Sequence, residues 1–294
     1  MLMDQPLIYT LLIAVGLIMG SYSGALVWRL RARQLIEDKA AGEKVDKKEY
    51  EKLAPLRSKT GLQDRSRCLH CGHELAWYDL LPLVSWLSTG GKCRYCHTPI
   101  GIFEPLMELG MAAFFVVSYI FWPITLHDPY QVAHFLLWLV SGVLLMTLFV
   151  YDSKWYLLPN RIIFPFIAVA AAVAVLGLIS KHDLAAALLS LCLGVAILSG
   201  LYFVLWIASK GAWVGFGDVK LGLGLAFLLG QWQLAFLALF AANLIGCLIV
   251  LPGLISGKVQ RTSRIPFGPL LIAGAVGAML WGPSIIQWYF VTFA

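Results

Sequence analysis

The stretch LIYTLLIAVGLIMGSYSGALVWRL, residues 7–30, carries no charged side chain before Arg29. Its 24 residues would form about 36 Å of α-helix, which is enough to cross the hydrocarbon core of a bilayer. The stretch is longer than the apolar core of a secretory signal, and no small-residue cleavage site precedes the basic residues that follow. We therefore expect it to be a permanent first membrane span.

The rest of the chain has the same character. Of its 294 residues, 60% are hydrophobic and 13% are charged, whereas soluble proteins carry roughly 25% charged residues. The pattern predicts an all-α polytopic membrane protein with about eight transmembrane helices. The apolar segments lie at residues 7–30, 104–122, 134–151, 161–179, 184–207, 219–230, 233–255 and 268–290. The sixth segment is short for a full span, and we expect it to be tilted, broken or re-entrant.

The positive charges are distributed unevenly along this predicted topology. Of the 22 lysines and arginines, 21 fall on one side of the membrane and only Lys181 falls on the other. The positive-inside rule therefore places residues 31–103 and the later basic loops in the cytosol. This topology accounts for the net charge of +6 without a nucleic-acid partner, and membrane lipid is the expected environment.

The only long polar stretch covers residues 31–103, between the first two spans, and it divides in two. Residues 31–66 mix both charge signs with helix-forming residues, which predicts a charged helix followed by a linker. Residues 67–103 contain two C-x2-C pairs separated by 21 residues, formed by Cys68, Cys71, Cys93 and Cys96. Two such knuckles supply the four thiolates of a closed tetrahedral zinc site, which is structural because no coordination position stays open.

Two features of this predicted zinc module leave alternatives open. Paired disulfides are the weaker account of the cysteines in a reducing cytosol, and His70, His73 and His97 are alternative ligands that we expect to face solvent. Between the knuckles, AWYDLLPLVSWL at residues 76–87 is apolar and aromatic. This segment could pack over the metal module or lie in the membrane interface, where Trp and Tyr are favoured.

Acidic side chains are scarce in the membrane region. Only four acidic residues follow residue 110. Two of them, Asp128 and Asp183, fall in short outer loops. Asp152 ends the third apolar segment and Asp218 begins the sixth, both on the predicted cytosolic side. An acid beside apolar surface is costly unless it is paired or hydrated, so a functional role is the working hypothesis for both.

The alternative is that each acid is an ordinary interface residue, or that Asp152 pairs with Lys154 and Asp218 with Lys220. Taken together on one face, the two acids suggest a dyad instead. Two carboxyl groups that share one proton can activate a water molecule and protonate a carbonyl, which suits peptide hydrolysis without a covalent intermediate. The sequence gives little support to other hydrolytic sites, because it has no H-E-x-x-H motif and no converging Ser-His-Asp set.

Two glycines precede the second acid in VGFGDVK, residues 214–220. Gly215 and Gly217 lack Cβ atoms, so the backbone can turn tightly and a substrate strand can approach. The alternative is a flexible loop between helices. We therefore assign these glycines to the substrate approach as a hypothesis.

Several phrases together resemble a known family. The GFGD string at 215–218 is similar to the GxGD motif of aspartic intramembrane proteases, and YDSKWYLLPN at 151–160 resembles the first-aspartate motif of type IV prepilin peptidases. The C-x2-C pairs, GHELAWYDLLPLVSWLSTGGKCRYCHTPI at 72–100 and IPFGPLLIAG at 265–274 resemble the same family. The resemblance implies an inner-membrane, multi-pass leader peptidase whose zinc module and active site face the cytoplasm.

By this resemblance the enzyme cuts prepilins or type II secretion pseudopilins after a glycine, at the cytosolic face, and N-methylates the new terminus with S-adenosylmethionine. The resemblance carries Asp152 and Asp218 over as the catalytic pair, and the four cysteines as the zinc ligands. Glu108 matches an acidic position of the family and would face the substrate or cap the second span. Residues 1–30 would then be the first helix, 31–103 the cytosolic domain and 104–294 the peptidase domain.

Other functions stay open from the sequence. A peptidase without methyltransferase activity is one alternative, because no glycine-rich fingerprint for S-adenosylmethionine occurs. A proton-coupled transporter or membrane scaffold is a more distant one. It would favour acids near the middle of the membrane and an inverted repeat of hydropathy.

Overall fold

Helices make up nearly all of the computed structural model, which describes residues 5–56, 65–181, 183–257 and 265–293. The helices are α1 Gln5–Ala40, α2 Lys47–Lys52, α3 Val84–Ser88, α4 Phe103–Ile120, α5 Pro129–Trp155, α6 Asn160–Ile179, α7 Leu184–Val195, α8 Leu201–Ser209, α9 Phe216–Leu229, α10 Trp232–Ile255 and α11 Phe267–Phe293. A π-turn at Ala196–Gly200 joins α7 to α8. Within the described residues there is no β-strand, only the isolated bridges Arg67–Glu74 and Lys92–Pro99. The predicted all-α class is confirmed.

Seven helical segments of the described chain are long and apolar enough to cross a membrane, with α7, the π-turn and α8 counted as one. They correspond to seven of the eight predicted apolar segments. The remaining segment is α9, whose 14 residues reach about 21 Å, short of the roughly 30 Å core. The expectation that this segment is too short for a full span is therefore confirmed.

The chain divides into two compact units, Met1–Val117 and Ser118–Ala294. In the first unit, α1 and α4 approach closely because glycines line their contact. A Cβ atom on Gly16 would lie 2.6 Å from the Cα of Ala112, and one on Gly20 would lie 2.5 Å from the Cα of Glu108. Helix packing at this distance requires residues without side chains.

The charged insert of the first unit is more ordered than a simple linker. Helix α1 continues to Ala40, and Asp46 caps α2 by accepting a hydrogen bond from the Lys48 N–H at 2.8 Å. A small apolar core forms there from Ala32, Leu35, Leu53 and Leu56. Arg31 also binds Glu49 at 2.6 Å. The apolar residues of the insert therefore fold it back onto the extended α1, while residues 57–64 lie outside the described chain.

In the second unit the short helix α9 lies at the centre. It contacts α6, α7, α8, α10 and α11, and eight of its residues are buried. Two of its glycines permit this packing. A Cβ atom on Gly222 would lie 2.0 Å from the Leu198 carbonyl oxygen of the π-turn, and one on Gly224 would lie 2.4 Å from Phe166. The packing of longer helices around α9 fixes the position of its first turn.

Candidate active site and metal centre

Asp152 lies in the last turn of α5 and is only 6% exposed. The turn closes when Tyr156 adopts a left-handed conformation and donates its backbone N–H to the Asp152 carbonyl at 2.8 Å. The side chain then meets the start of α11, where the Gly268 N–H donates to Asp152 Oδ2 at 3.1 Å. The first N–H groups of a helix have no partner within the helix, and its dipole favours a negative charge there.

Gly268 is also a steric requirement of this contact. A Cβ atom at position 268 would lie 2.6 Å from Asp152 Oδ2. Any side chain would push the carboxylate off the N–H group. Gly268 lies in IPFGPLLIAG, whose family resemblance implied no function for this glycine.

Asp218 is the third residue of α9, and its side chain is half-buried. The helix begins after Gly215, whose carbonyl accepts the Asp218 backbone N–H at 3.1 Å and whose own N–H donates to the Asp218 carboxylate. The π-turn holds the same end of α9, because the Ser199 hydroxyl donates to the Val219 carbonyl at 2.9 Å. The acid is therefore fixed from both its own helix and the preceding one.

Asp152 and Asp218 lie on two helices that both pack against α11. Gly268 of α11 is close to both helices: its N–H binds Asp152, and a Cβ atom there would lie 3.6 Å from Leu221, three residues after Asp218. Tyr202 is a third polar side chain of this region. It is 5% exposed, and its ring meets Phe267 of α11 at an angle of 54° with centroids 5.3 Å apart. Nothing in the sequence indicates Tyr202, because one tyrosine in an apolar helix carries no local signal.

The lysine two residues after Asp218 has other contacts. Lys220 Nζ donates to Asn160 Oδ1 at 2.8 Å and lies over the rings of Phe164 and Phe216. These contacts tie α9 to α6 and direct the ammonium group to Asn160. Lys154 lies over the Trp155 ring, with Nζ 5.7 Å from its centroid.

The two glycines before Asp218 differ in their surroundings. Gly215 is exposed in an extended conformation, with φ −74° and ψ 148°. At Gly217 a Cβ atom would lie 3.1 Å from the side chain of Leu158. Neither glycine has a positive φ, so no left-handed turn requires them, and only at Gly217 would an added Cβ atom be crowded.

The four predicted zinc ligands converge in the first unit. The Sγ atoms of Cys68, Cys71, Cys93 and Cys96 all lie within 4.8 Å of one another, and those of Cys68 and Cys96 are 3.9 Å apart. Four thiolates about 2.3 Å from a tetrahedral zinc ion would be about 3.8 Å apart. The cluster can therefore hold a metal ion with little rearrangement.

The two knuckles repeat one backbone pattern. In the first, Gly72 N–H donates to the Cys68 carbonyl at 2.9 Å, and in the second, His97 N–H donates to the Cys93 carbonyl at 2.9 Å. Both turning residues are left-handed, with φ of 71° and 56°. His97 and the other two nearby histidines, His70 and His73, are exposed. The metal-ligating cluster found in the described residues contains cysteines only.

The thiols of the cluster differ in acidity. The Thr98 hydroxyl lies 3.5 Å from Cys96 Sγ, and its hydrogen bond lowers the pKa of the Cys96 thiol to about 5. Burial raises the pKa of Cys93 above its ordinary value. Because only thiolates bind metal, Cys96 is ready to bind while Cys93 would release its proton on binding.

Asp79 joins the segment between the knuckles to the second knuckle. Its carboxylate accepts hydrogen bonds from Arg94 Nε at 2.9 Å, the Tyr95 hydroxyl at 2.9 Å and the Ala76 N–H at 3.2 Å. Burial opposes ionisation, but these hydrogen bonds together lower the pKa of Asp79 below its ordinary value. The carboxylate is therefore a charged structural link.

A cavity of about 770 Å³ lies within the first unit. Its lining includes the acids Glu104 and Glu108 of α4, the aromatic residues Trp28 and Phe103, and basic residues such as Arg29. Glu108 is 5% exposed and accepts the Leu83 N–H at 2.8 Å as well as a hydrogen bond from Ser21. The structure thus gives this acid a positioning contact on the segment between the knuckles.

Two known protein families match successive parts of the chain. Residues 14–122 match the bacterial peptidase A24 N-terminal domain, and residues 138–251 match the type IV leader peptidase family. The chain is 30% identical to a prepilin leader peptidase/N-methyltransferase of Pseudomonas aeruginosa, over 98% of this chain and 96% of the relative. The chain belongs to the type IV leader peptidase family.

Two further relatives have the same name. The Aeromonas hydrophila protein is 29% identical over 98% of this chain and 95% of its own, and the Bacillus subtilis protein is 34% identical over 76% and 85%. No solved structure matches the chain. The present chain is a member of this family, and its described residues contain seven helices long enough to span a membrane. It is therefore a multi-pass inner-membrane protein. The first matched range contains the four cysteines and Glu108, and the second contains both aspartates.

Proposed function

We propose that this protein cleaves the leader peptide of type IV prepilins or type II secretion pseudopilins after a glycine, with Asp152 and Asp218 as the catalytic pair, and N-methylates the new terminus. The observation that supports this most strongly is that Asp152 ends α5 and Asp218 begins α9, two helices that both pack against α11. Neither acid lies near the middle of a span. Their position favours a peptidase over the proton-coupled transporter.

In the proposed reaction the two carboxyl groups share one proton. The ionised carboxylate takes a proton from water, and the neutral one donates a hydrogen bond to the scissile carbonyl. The Gly268 N–H occupies Oδ2 of Asp152 and fixes that group. Gly215, exposed next to Asp218, leaves space for the extended backbone of the substrate.

The proposed topology follows the charges. Residues 31–103 and the catalytic pair would face the cytoplasm, because 21 of 22 basic residues fall on that side. Residues 104–294 would form the peptidase domain. The four cysteines would hold a zinc ion in a closed, structural site.

S-adenosylmethionine, when bound, supplies the methyl group as an electrophilic sulfonium. The cavity of the first unit suits such a molecule, because its carboxylates and aromatic faces favour a cation while its basic side chains favour a carboxylate. Trp28, Phe103, Glu104 and Arg29 are the residues that would bind it. Glu108 would shape the site through its bond to Leu83.

One experiment tests both proposed activities. The protein is co-expressed with a candidate prepilin, and the N-terminal peptide of the product is analysed by mass spectrometry. We expect a terminus directly after glycine that carries one added methyl group. A cleaved but unmethylated product would support the peptidase activity and contradict the methyltransferase activity. An uncleaved prepilin would contradict the proposed function.

A further inference from the structure

Large apolar side chains are exposed on the segment between the two cysteine knuckles. Trp77 is 75% exposed, Leu87 68% and Val84 60%, and Leu80 and Leu81 are exposed as well. We call these five residues the apolar face of the module. Single exposed apolar residues are ordinary, but such a concentration within 11 residues marks an interaction surface.

The segment that carries this face is held in place from its other side. Leu83 and Trp86 line the cavity, and Trp86 Nε1 donates to the Gly101 carbonyl at 2.8 Å. Asp79 fixes the start of the segment through Arg94 and Tyr95. Leu80 and Leu81 of the apolar face also line the cavity, whereas Trp77, Val84 and Leu87 do not, so these three form the outer part of an anchored segment.

One hydrogen bond sets the depth of the segment along α4. Leu83 N–H donates to Glu108, the sixth residue of α4. The 18 residues of Phe103–Ile120 are about 27 Å long against a core of roughly 30 Å, so a span that uses the whole helix would place Glu108 about 7.5 Å inside. Amphipathic elements at the interface are buried to about this depth.

The start of the core is marked by other residues of the same unit. Trp28 of α1 and Phe103 of α4 meet edge to face at 5.4 Å, and Arg29 follows Trp28. Tryptophan beside arginine at the end of a span is typical of the level of the lipid headgroups. Leu83 therefore lies slightly deeper than the headgroup level.

Positive charges border the apolar face. Exposed Lys92 follows Gly91, whose N–H donates to the Trp86 carbonyl at 2.9 Å. The Arg94 guanidinium lies 5.3 Å from the centre of the Tyr78 ring, which meets Trp77 of the apolar face edge to face at 5.8 Å. Basic residues beside an apolar surface attract anionic lipid headgroups. The charge and the depth therefore favour the same occupant.

We propose that the apolar face lies in the boundary between lipid headgroups and acyl chains of the cytoplasmic leaflet, and so docks the metal module on the membrane. The cavity behind the segment then opens at the membrane surface. This places it at the level where the membrane segment of a substrate ends. The proposal concerns lipid contact and does not depend on the peptidase or methyltransferase activity.

The test is photocrosslinking of the full-length, zinc-loaded protein in nanodiscs of phosphatidylethanolamine with a minority of phosphatidylglycerol. p-Benzoyl-phenylalanine replaces Leu87 in one variant and Val84 in another, and intact mass identifies the adducts. The matched control is the same substitution at Glu51, an exposed residue of α2 in the same unit. We expect about tenfold more phospholipid adduct at both positions than at Glu51, because burial in lipid is favourable for such side chains.

Zinc content measured on each sample identifies the folded variants, and Trp77 provides a third position if one variant fails to fold. Lipid adducts at 51 equal to those at 84 and 87 would overturn the proposal. Adducts to protein alone would overturn it too, since they would mean that the apolar face binds a partner or the substrate segment.

Discussion

The metal cluster and the aspartate pair are assembled at very different distances along the sequence. Cys68 and Cys96 are 28 residues apart and their sulfur atoms are 3.9 Å apart. Asp152 receives its hydrogen bond from Gly268, which is 116 residues away. Local turns suffice for the first site, whereas the second requires the packing of α5, α9 and α11. A change in one site should therefore have local effects, and a change in the other should depend on helix packing.

The largest expected effect comes from the aspartates. We expect Asp152→Asn and Asp218→Asn each to lower the cleavage rate by about 10³-fold or more, since neither amide can share or accept the proton. The N-terminal peptide mass of a co-expressed prepilin measures this. Asp128→Asn is the matched control. This acid caps α5 by accepting the Tyr130 N–H at 2.7 Å, so it should keep cleavage. Full cleavage by either site variant would exclude the dyad.

The second expected effect is confined to the module. We expect Cys68→Ser with Cys93→Ser to lower the zinc content from about one ion per chain to near zero, because two oxygen ligands cannot replace the thiolates of a closed site. Elemental analysis of purified protein measures it. The control is Cys192→Ser with Cys247→Ser, both exposed on helices of the second unit. Equal zinc content in the two double variants would contradict the four-cysteine site.

The third prediction concerns the helix packing behind the aspartates. We expect Gly268→Ala to slow cleavage by about 10²-fold, because the added methyl group would displace the Asp152 carboxylate and small misplacements of reacting groups have effects of this size. Gly277→Ala in the same helix is the control, since its Cβ atom would meet only Trp281 at 4.0 Å. Similar rates in the two variants would show that Gly268 does not position the acid.

What the sequence could predict depends on whether a site is built by local turns or by the packing of distant helices. The cysteine spacing predicted a cluster that the structure contains, because a knuckle is closed by hydrogen bonds within six residues. Asp152 and Asp218 could be selected because the other two acids after residue 110 fall in predicted outer loops. The sequence could not predict Gly268 or Tyr202 as their neighbours, since nothing local distinguishes a packing glycine or tyrosine within an apolar helix. The short α9 was visible from its length, but not its central position.

The fourth prediction uses the charge of Asp79. Its folded pKa is lowered, so its stabilising contribution is present above the ordinary pKa of about 4 and is lost as the pH falls through the lowered value. We expect the wild-type module to lose stability in acid more steeply than Asp79→Asn, as followed by thermal unfolding from about pH 6 down to about pH 3. Acid also releases zinc from both proteins, so the difference between the two curves is the measurement. Parallel curves would contradict the assignment.

The smallest expected effect distinguishes the two knuckles. Gly72 and His97 occupy equivalent left-handed turns, and a left-handed residue with a Cβ atom is less stable than glycine by about 1 kcal/mol. Gly72→Ala should therefore destabilise the module by about that amount. His97→Gly should be neutral or slightly stabilising, because relief of strain offsets the added freedom of the unfolded chain. Thermal unfolding of the zinc-loaded protein compares them. If His97→Gly destabilised the module as much as Gly72→Ala, the His97 side chain would hold a contact that offsets its backbone strain, and the two knuckles would not be equivalent.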